Sequence, residues 1–211
     1  MRVVVGNAHL KRVLKWAQRA LFACAVLLLS YTGFAIVDAW LFQRRESRDL
    51  DRLLHDRRVA SQAAPQPESA ALPVAMETAA PDSLIGRIEI PRLLLSVVVM
   101  EGVGRTTLRR AVGHIPGTAL PGRPGNVGLA GHRDTFFRPL KDLRIKDEIL
   151  FSTLKGNYKY VVVSLTIVDP DDVGVLAASR ENVLTLVTCY PFYYIGPAPQ
   201  RWIVRARQVS P

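Results

Sequence analysis

The chain has 211 residues, with 28 Lys and Arg against 18 Asp and Glu for a formal charge of +10, and only two cysteines. This length admits a membrane anchor plus one domain with a real core and little more, and two cysteines as far apart as Cys24 and Cys189 exclude a disulfide framework within a domain. The positive charge suits an anionic membrane or wall surface as readily as nucleic acid, but the chain has no RNA- or DNA-binding motif, so no nucleic-acid partner is expected.

Residues 1–19 carry Arg2, Lys11, Arg12, Lys15 and Arg19 and no acidic residue. They lead into an uncharged apolar run over residues 20–37, about the length that crosses a bilayer core. The basic flank predicts a cytoplasmic N-terminus and a single-pass chain in the cell membrane, although Arg44, Arg45 and Arg48 reduce the asymmetry. A cleaved signal peptide is the competing reading. The run is longer than a usual signal core and no clear Ala-x-Ala site follows, so an uncleaved anchor is expected.

Residues 38–82 read as a stalk and linker. Up to Gln62 the charges are of both signs and Leu41, Leu50, Leu53, Leu54 and Val59 fall at loosely helical spacing, which predicts a helix with a thin apolar stripe, a short stalk in preference to a weak self-associating helix. From Ala63 the composition turns to Ala, Pro, Ser and Glu, including Ala64-Pro65-Gln66-Pro67, and cannot build a core. The folded domain is expected at residues 83–211.

That domain reads as short strands between turn signals. Leu84 to Pro91 alternates like a half-buried strand, and Leu93 to Met100 is a continuous apolar run of the kind that fills a barrel or sandwich core. Thr107 to Val112 reads as one helical turn, and Gly113 to Asn126, crowded with Gly and Pro, as loop. Val127 to His132 is a short strand with a histidine at its exit. Glu148 to Thr153 and Tyr158 to Val168 are strands joined by a turn at Lys155-Gly156-Asn157. A loop from Asp169 to Arg180 precedes a core strand over Asn182 to Thr188, and Arg201 to Gln208 is the last strand. Roughly eight strands with little helix and no βαβ rhythm predict an all-β, closed eight-stranded barrel after one N-terminal transmembrane helix.

The chemistry-bearing candidates lie at strand ends. Cys189 sits where an apolar strand opens into a loop at Pro191, rigidly held yet reachable, as a nucleophile needs. A buried cysteine acting as a small hydrophobe is the alternative for that stretch alone. A thiol attacks as thiolate and needs a partner to protonate the leaving amine, a role that suits histidine near neutral pH. The domain offers His114, in the Gly-Pro loop, and His132, in Gly131-His132-Arg133-Asp134. Arg201 begins the strand that a tight Gly- and Pro-rich loop would set antiparallel to the Cys189 strand, and a guanidinium there can stabilise an oxyanion.

In combination these residues resemble a sortase, the family of membrane-anchored cysteine transpeptidases. Thr185-Leu186-x-Thr188-Cys189 is similar to that family's nucleophile motif, and the downstream arginine fits as well. Gly117-Thr118, Pro121-Gly122, Gly125-Asn126 and Ala130-Gly131-His132-Arg133-Asp134 resemble the run into the family's histidine, most like class D. The likeness covers about Leu84 to Gln208. It implies an eight-stranded β-barrel that cleaves a Leu-Pro-x-Thr-Gly-like signal between its last two residues through a thioacyl enzyme, which an amine then resolves. By position it implies Cys189 as nucleophile, His132 as acid and base, Arg201 as substrate and oxyanion clamp, and Thr188 as a substrate-positioning residue. The implied partners are exported proteins with a C-terminal sorting signal and an amine on the cell wall or on a partner protein. No Asp-Pro-aromatic lid precedes the barrel and no second apolar anchor follows it, which favours anchoring over pilus assembly.

Two other cysteine chemistries fit less well. A papain-like hydrolase has its cysteine before its histidine, the reverse of the order here. An L,D-transpeptidase would be expected to carry a Ser-x-Gly-Cys-type motif. From a different class, a catalytically silent, membrane-tethered binding barrel with Cys189 in its core stays open. Asp169, Asp171 and Asp172 could form a calcium loop, but Asp-Pro-Asp-Asp is ordinary turn chemistry, so no metal and no cofactor is expected.

Overall fold

The computed structural model describes residues 8–63 and 80–209. Helix α1 runs from Ala8 to Ala63 and contains a stretch long and apolar enough to cross a membrane, its side chains exposed. Residues up to Leu41 form one unit, and residues from Phe42 onward form a second with the barrel. The Ala64-Pro65-Gln66-Pro67 part of the expected linker lies outside the described residues.

The second unit has eight strands: β1 (Leu84–Ile90), β2 (Leu95–Glu101), β3 (Val112–His114), β4 (Asn126–Ala130), β5 (Glu148–Thr153), β6 (Gly156–Val168), β7 (Val183–Tyr190) and β8 (Gln200–Val209). They close into a barrel in the order β1-β2-β3-β4-β7-β8-β6-β5. The pairs β2 with β3 and β4 with β7 are parallel and the others antiparallel. Alternation sets which side chains face the interior: in β1 Gly86, Ile88 and Ile90 turn inward while Arg87 and Glu89 do not. Ile88, Val99, Leu129, Phe151, Leu186 and Val204 belong to one buried cluster that fills the interior. Each such side chain removed from water contributes about 1.5–3 kcal/mol.

Three local expectations shift. The Gly113–Asn126 segment is not all loop: Val112, Gly113 and His114 form β3, because parallel pairing with Val99, Met100 and Glu101 of β2 overrides the turn signals. The helical turn lies earlier, at α2 (Arg105–Arg110), and supplies the crossover between those parallel strands. The β5–β6 turn is Leu154-Lys155, since Thr153 pairs with Gly156 and Asn157 is already strand. The Thr153 hydroxyl accepts from the amides of Lys155 and Gly156, at 3.1 and 3.2 Å, and so fixes that reversal.

Within the second unit the end of α1 packs against the barrel wall. The Gln43 side chain accepts from the Val98 amide at 2.9 Å and donates to the Arg110 carbonyl at 2.6 Å. It meets β2 where β3 has not yet begun, the first β2–β3 pair being Val99 with Val112. Phe42 packs on Val98, Met100 and Ala111 beneath the Arg110 guanidinium, and Leu50 is fully buried. Asp51 pairs with Arg87 at 3.1 Å, and Arg57 donates to the Leu154 carbonyl.

Candidate active site

The site follows from two strand registers. In the β7–β8 ladder Cys189 lies directly opposite Arg201, and directly paired residues present their side chains on the same face. In the parallel β4–β7 pair the last match is Ala130 with Val187, so both strands leave the barrel at one rim. Just beyond it the Gly131 amide donates to the Val187 carbonyl at 3.2 Å, and the Thr188 hydroxyl donates to the Gly131 carbonyl at 2.7 Å. Gly131 is thus tied to β7 through both of its backbone groups, one residue before His132 and beside the strand end that carries Cys189.

Gly131 is glycine for a steric reason. A Cβ there would lie 2.7 Å from the ring of Phe137, which is fully buried and donates its amide to the His132 carbonyl at 3.1 Å. Phe137 thus seats the turn that carries the histidine. Cys189 is a half-buried free thiol, and His132 is exposed at the rim. Arg201 is half-buried and donates through Nη1 to the carbonyls of Ala198, at 3.2 Å, and Gln200, at 3.0 Å. Behind the Cys189–Arg201 pair, Tyr190 stacks on Trp202 with ring centroids 5.8 Å apart, and Phe192 meets both rings edge-on. Phe192 and Trp202 pack onto the barrel core.

Thr188 is 3 % exposed and its hydroxyl points to Gly131, so its contact in this structure is with the histidine-bearing segment. His114 is not a loop residue. It is buried in β3, with Nδ1 2.6 Å from the Glu101 carboxylate and Nε2 2.9 Å from the Ala119 carbonyl. Both ring nitrogens are therefore engaged inside the protein, tying the end of β2 to the segment that leads into β4. The Asp169–Asp172 segment acts as turn chemistry, with the Asp172 carboxylate accepting from the Gly174 amide at 3.2 Å at the start of a short 3-10 turn.

Other polar contacts were not read from the sequence. Asn126 accepts from the Thr185 hydroxyl at 2.7 Å and donates to the carbonyls of Val175 and Ala177, which anchors the β6–β7 loop beside β7. Arg133, next to the histidine, donates to three carbonyls of the β7–β8 loop: Pro191 at 2.9 Å, Tyr194 at 2.7 Å and Gly196 at 3.1 Å. The same loop meets Lys141 through Tyr193. The lysine's hydrogen bond holds the Tyr193 phenol below its ordinary pKa, and Nζ lies 5.6 Å from the ring centroid. The one available signal for Arg133 was its place in the Gly-His-Arg-Asp run.

Comparison with known proteins gives a consistent picture. The family model describing the sortase domain matches residues 88–209. Among curated proteins, sortase D of Bacillus subtilis (strain 168) is 36% identical over 126 residues, which is 59% of this chain and 64% of that protein. The chain thus spans less than two thirds of that relative's length. Among solved structures, a Clostridium perfringens sortase D5 transpeptidase superposes with a TM-score of 0.61 at 23% identity, covering 80% of this chain and 99% of the other, and so shares its fold. The SrtA sortase from Actinomyces oris superposes with a TM-score of 0.58 at 30% identity, covering 68% of this chain and 89% of the other.

Proposed function

Because the chain belongs to the sortase family of cysteine transpeptidases, we propose that it is anchored in the membrane by α1 and acts on exported proteins bearing a Leu-Pro-x-Thr-Gly-like signal. The Cys189 thiolate attacks the carbonyl carbon of the signal's threonine, and the carbonyl π pair moves onto oxygen. Arg201, on the same face, donates to that oxyanion. His132 protonates the nitrogen of the departing glycine as the C–N bond breaks, leaving a thioester on Cys189. An amine on the cell wall or a partner protein then attacks the thioester, His132 takes its proton, and the new amide releases the thiolate. The observation that carries this reading is the pairing of Cys189 with Arg201 at the rim where the Gly131 clamp delivers His132.

The direct test is to incubate the detergent-solubilised full chain with a library of sorting peptides and read intact mass. An adduct equal to the peptide's N-terminal fragment, resolved by added amine, is the expected result. No adduct with any peptide, from protein whose thiol alkylates normally, would remove the transpeptidase reading.

The arginine is expected to act through its fork and not only through its charge. A guanidinium holds a carbonyl oxygen and a neighbouring group at once, whereas an ammonium is a point charge on a flexible stem. Losing one oxyanion donor costs on the order of 10²–10³ in rate, about 3–4 kcal/mol of barrier. Arg201→Lys should therefore fall close to Arg201→Ala in kcat/KM for a quenched fluorescent peptide. Arg205→Ala, opposite Thr185 and further from Cys189 along β8, should stay near wild type. Near-normal activity in folded Arg201→Lys would reduce the arginine to a general positive field.

The proposed orientation puts the N-terminus in the cytoplasm and the barrel outside, as basic residues 1–19 favour. A cysteine introduced in the linker before β1 should react with a membrane-impermeant thiol reagent in whole cells. Protection of that cysteine, beside a labelled external control, would reverse the orientation.

A further inference from the structure

We propose that Arg133 is a positioning residue that closes a ring of contacts setting the separation of His132 and Cys189. The ring can be followed atom by atom. It runs along the backbone from Gly131 through His132 to Arg133, and crosses from the Arg133 Nη1 to the Pro191 carbonyl at 2.9 Å. It returns along the backbone through Tyr190 and Cys189 to Thr188, and closes where the Thr188 hydroxyl meets the Gly131 carbonyl at 2.7 Å. His132 sits inside one arm and Cys189 inside the other. Both crossings lie within two residues of each candidate, so neither arm moves without breaking one of them.

The Thr188 crossing is buried and braced by the Gly131 amide on the Val187 carbonyl. The Arg133 crossing has a different design. One guanidinium gathers three carbonyls from a six-residue stretch of loop and lies over the Tyr194 ring at 5.8 Å. A planar group with five donors suits such a convergence, and a lysine ammonium does not reproduce its geometry. The loop so held begins immediately after Cys189 and Tyr190, and it delivers the chain to Arg201. One side chain thereby braces the loop that joins Cys189 to Arg201. Tyr193, over which Lys141 lies, gives the loop a second tie to the same segment.

This inference rests on the transpeptidase reading for the roles of His132 and Cys189, and its test is chosen to need no sorting signal. The full chain in detergent, with Cys24→Ser in every sample so that Cys189 is the thiol that reports, is alkylated with iodoacetamide across a range of pH. The rate against pH reads how strongly the imidazole and thiol are coupled. Asp134, Arg138, Lys141, Tyr190, Tyr193 and Arg201, which are among the other charged or titratable groups of the two segments, are unchanged throughout. R133Q is expected to move the midpoint by about one pH unit toward that of H132Q, lowering the alkylation rate below the midpoint about tenfold. R133K should behave like R133Q, and R133Q combined with H132Q should add little to H132Q alone. Thr188→Val, which breaks the opposite crossing, should shift the profile in the same direction and provides a second route if R133Q does not fold. An unchanged midpoint in folded R133Q, with only a lower Tm, would make Arg133 a loop staple without influence on the pair and overturn the proposal. Full restoration by R133K would overturn it too, because charge alone would then suffice. Failure of the sorting-peptide assay with the shifted profile intact would fault the transpeptidase reading and not this one.

Discussion

Replacing Cys189 by alanine is expected to remove both peptide cleavage and the mass adduct, leaving no turnover above the uncatalysed reaction. The chain's other thiol, Cys24, lies in the apolar run of α1 and cannot substitute. Every covalent step of the proposed cycle passes through the sulfur, so no partial activity should survive. Serine is not a conservative replacement, because a hydroxyl lacks the accessible anionic form that lets a thiol attack near neutral pH. The fold should be little affected, since Cys189 is half-buried at a strand end and lies outside the buried core cluster. The check is peptide cleavage by chromatography beside intact mass, with circular dichroism for folding. Wild-type turnover in folded Cys189→Ala would take the nucleophile's role from it.

His132→Ala should lose about 10²–10⁴-fold in kcat/KM, the usual range for a general acid and base, with Tm near that of wild type because the ring is exposed at the rim. His114→Ala should do the opposite. Its imidazole fills a buried position 2.6 Å from the Glu101 carboxyl group, which is itself 7 % exposed, and leaving a buried polar group without its hydrogen-bond partner costs about 1–3 kcal/mol. The population of folded molecules should fall while activity per folded molecule stays within a few-fold of wild type. Thermal melts with active-site titration separate the two effects. Greater loss per folded molecule in His114→Ala than in His132→Ala would reverse the assignment.

Much of the barrel was legible because strand periodicity is a local property. The alternation of β1 and the apolar runs of β2 and β7 are visible without knowing any partner. What escaped depends on partners far along the chain. β3 has three residues, two of them Gly113 and His114 in a Gly- and Pro-rich context, and exists as a strand only because β2 and β4 flank it. Gln43 is polar and adds nothing to a hydrophobic stripe, yet its amide meets β2 at Val98 and α2 at Arg110. At the site, Cys189, His132 and Arg201 carry chemistry in their residue types and could be singled out. Arg133 stood in the Gly-His-Arg-Asp run, but its contacts were not legible there, since its partners are carbonyls 58 to 63 residues away, and a carbonyl leaves no mark in a sequence.

Closure of the barrel has a consequence for how an extended peptide is received. Every strand has a neighbour on each side over part of its length, and at Val98, where β3 leaves β2 unpaired, Gln43 takes the amide. Among the described residues little sheet edge is left for β-augmentation, the mode in which main-chain hydrogen bonds give a peptide affinity whatever its side chains; Ser164–Val168 of β6, which pairs with β8 beyond the end of β5, is such a stretch. On the proposed activity, discrimination then falls mainly to side chains and loops around the rim, so an extended peptide without the right residues gains little by lying across the barrel. On the proposed membrane anchoring, the same closure also limits edge-to-edge zipping between copies of the barrel.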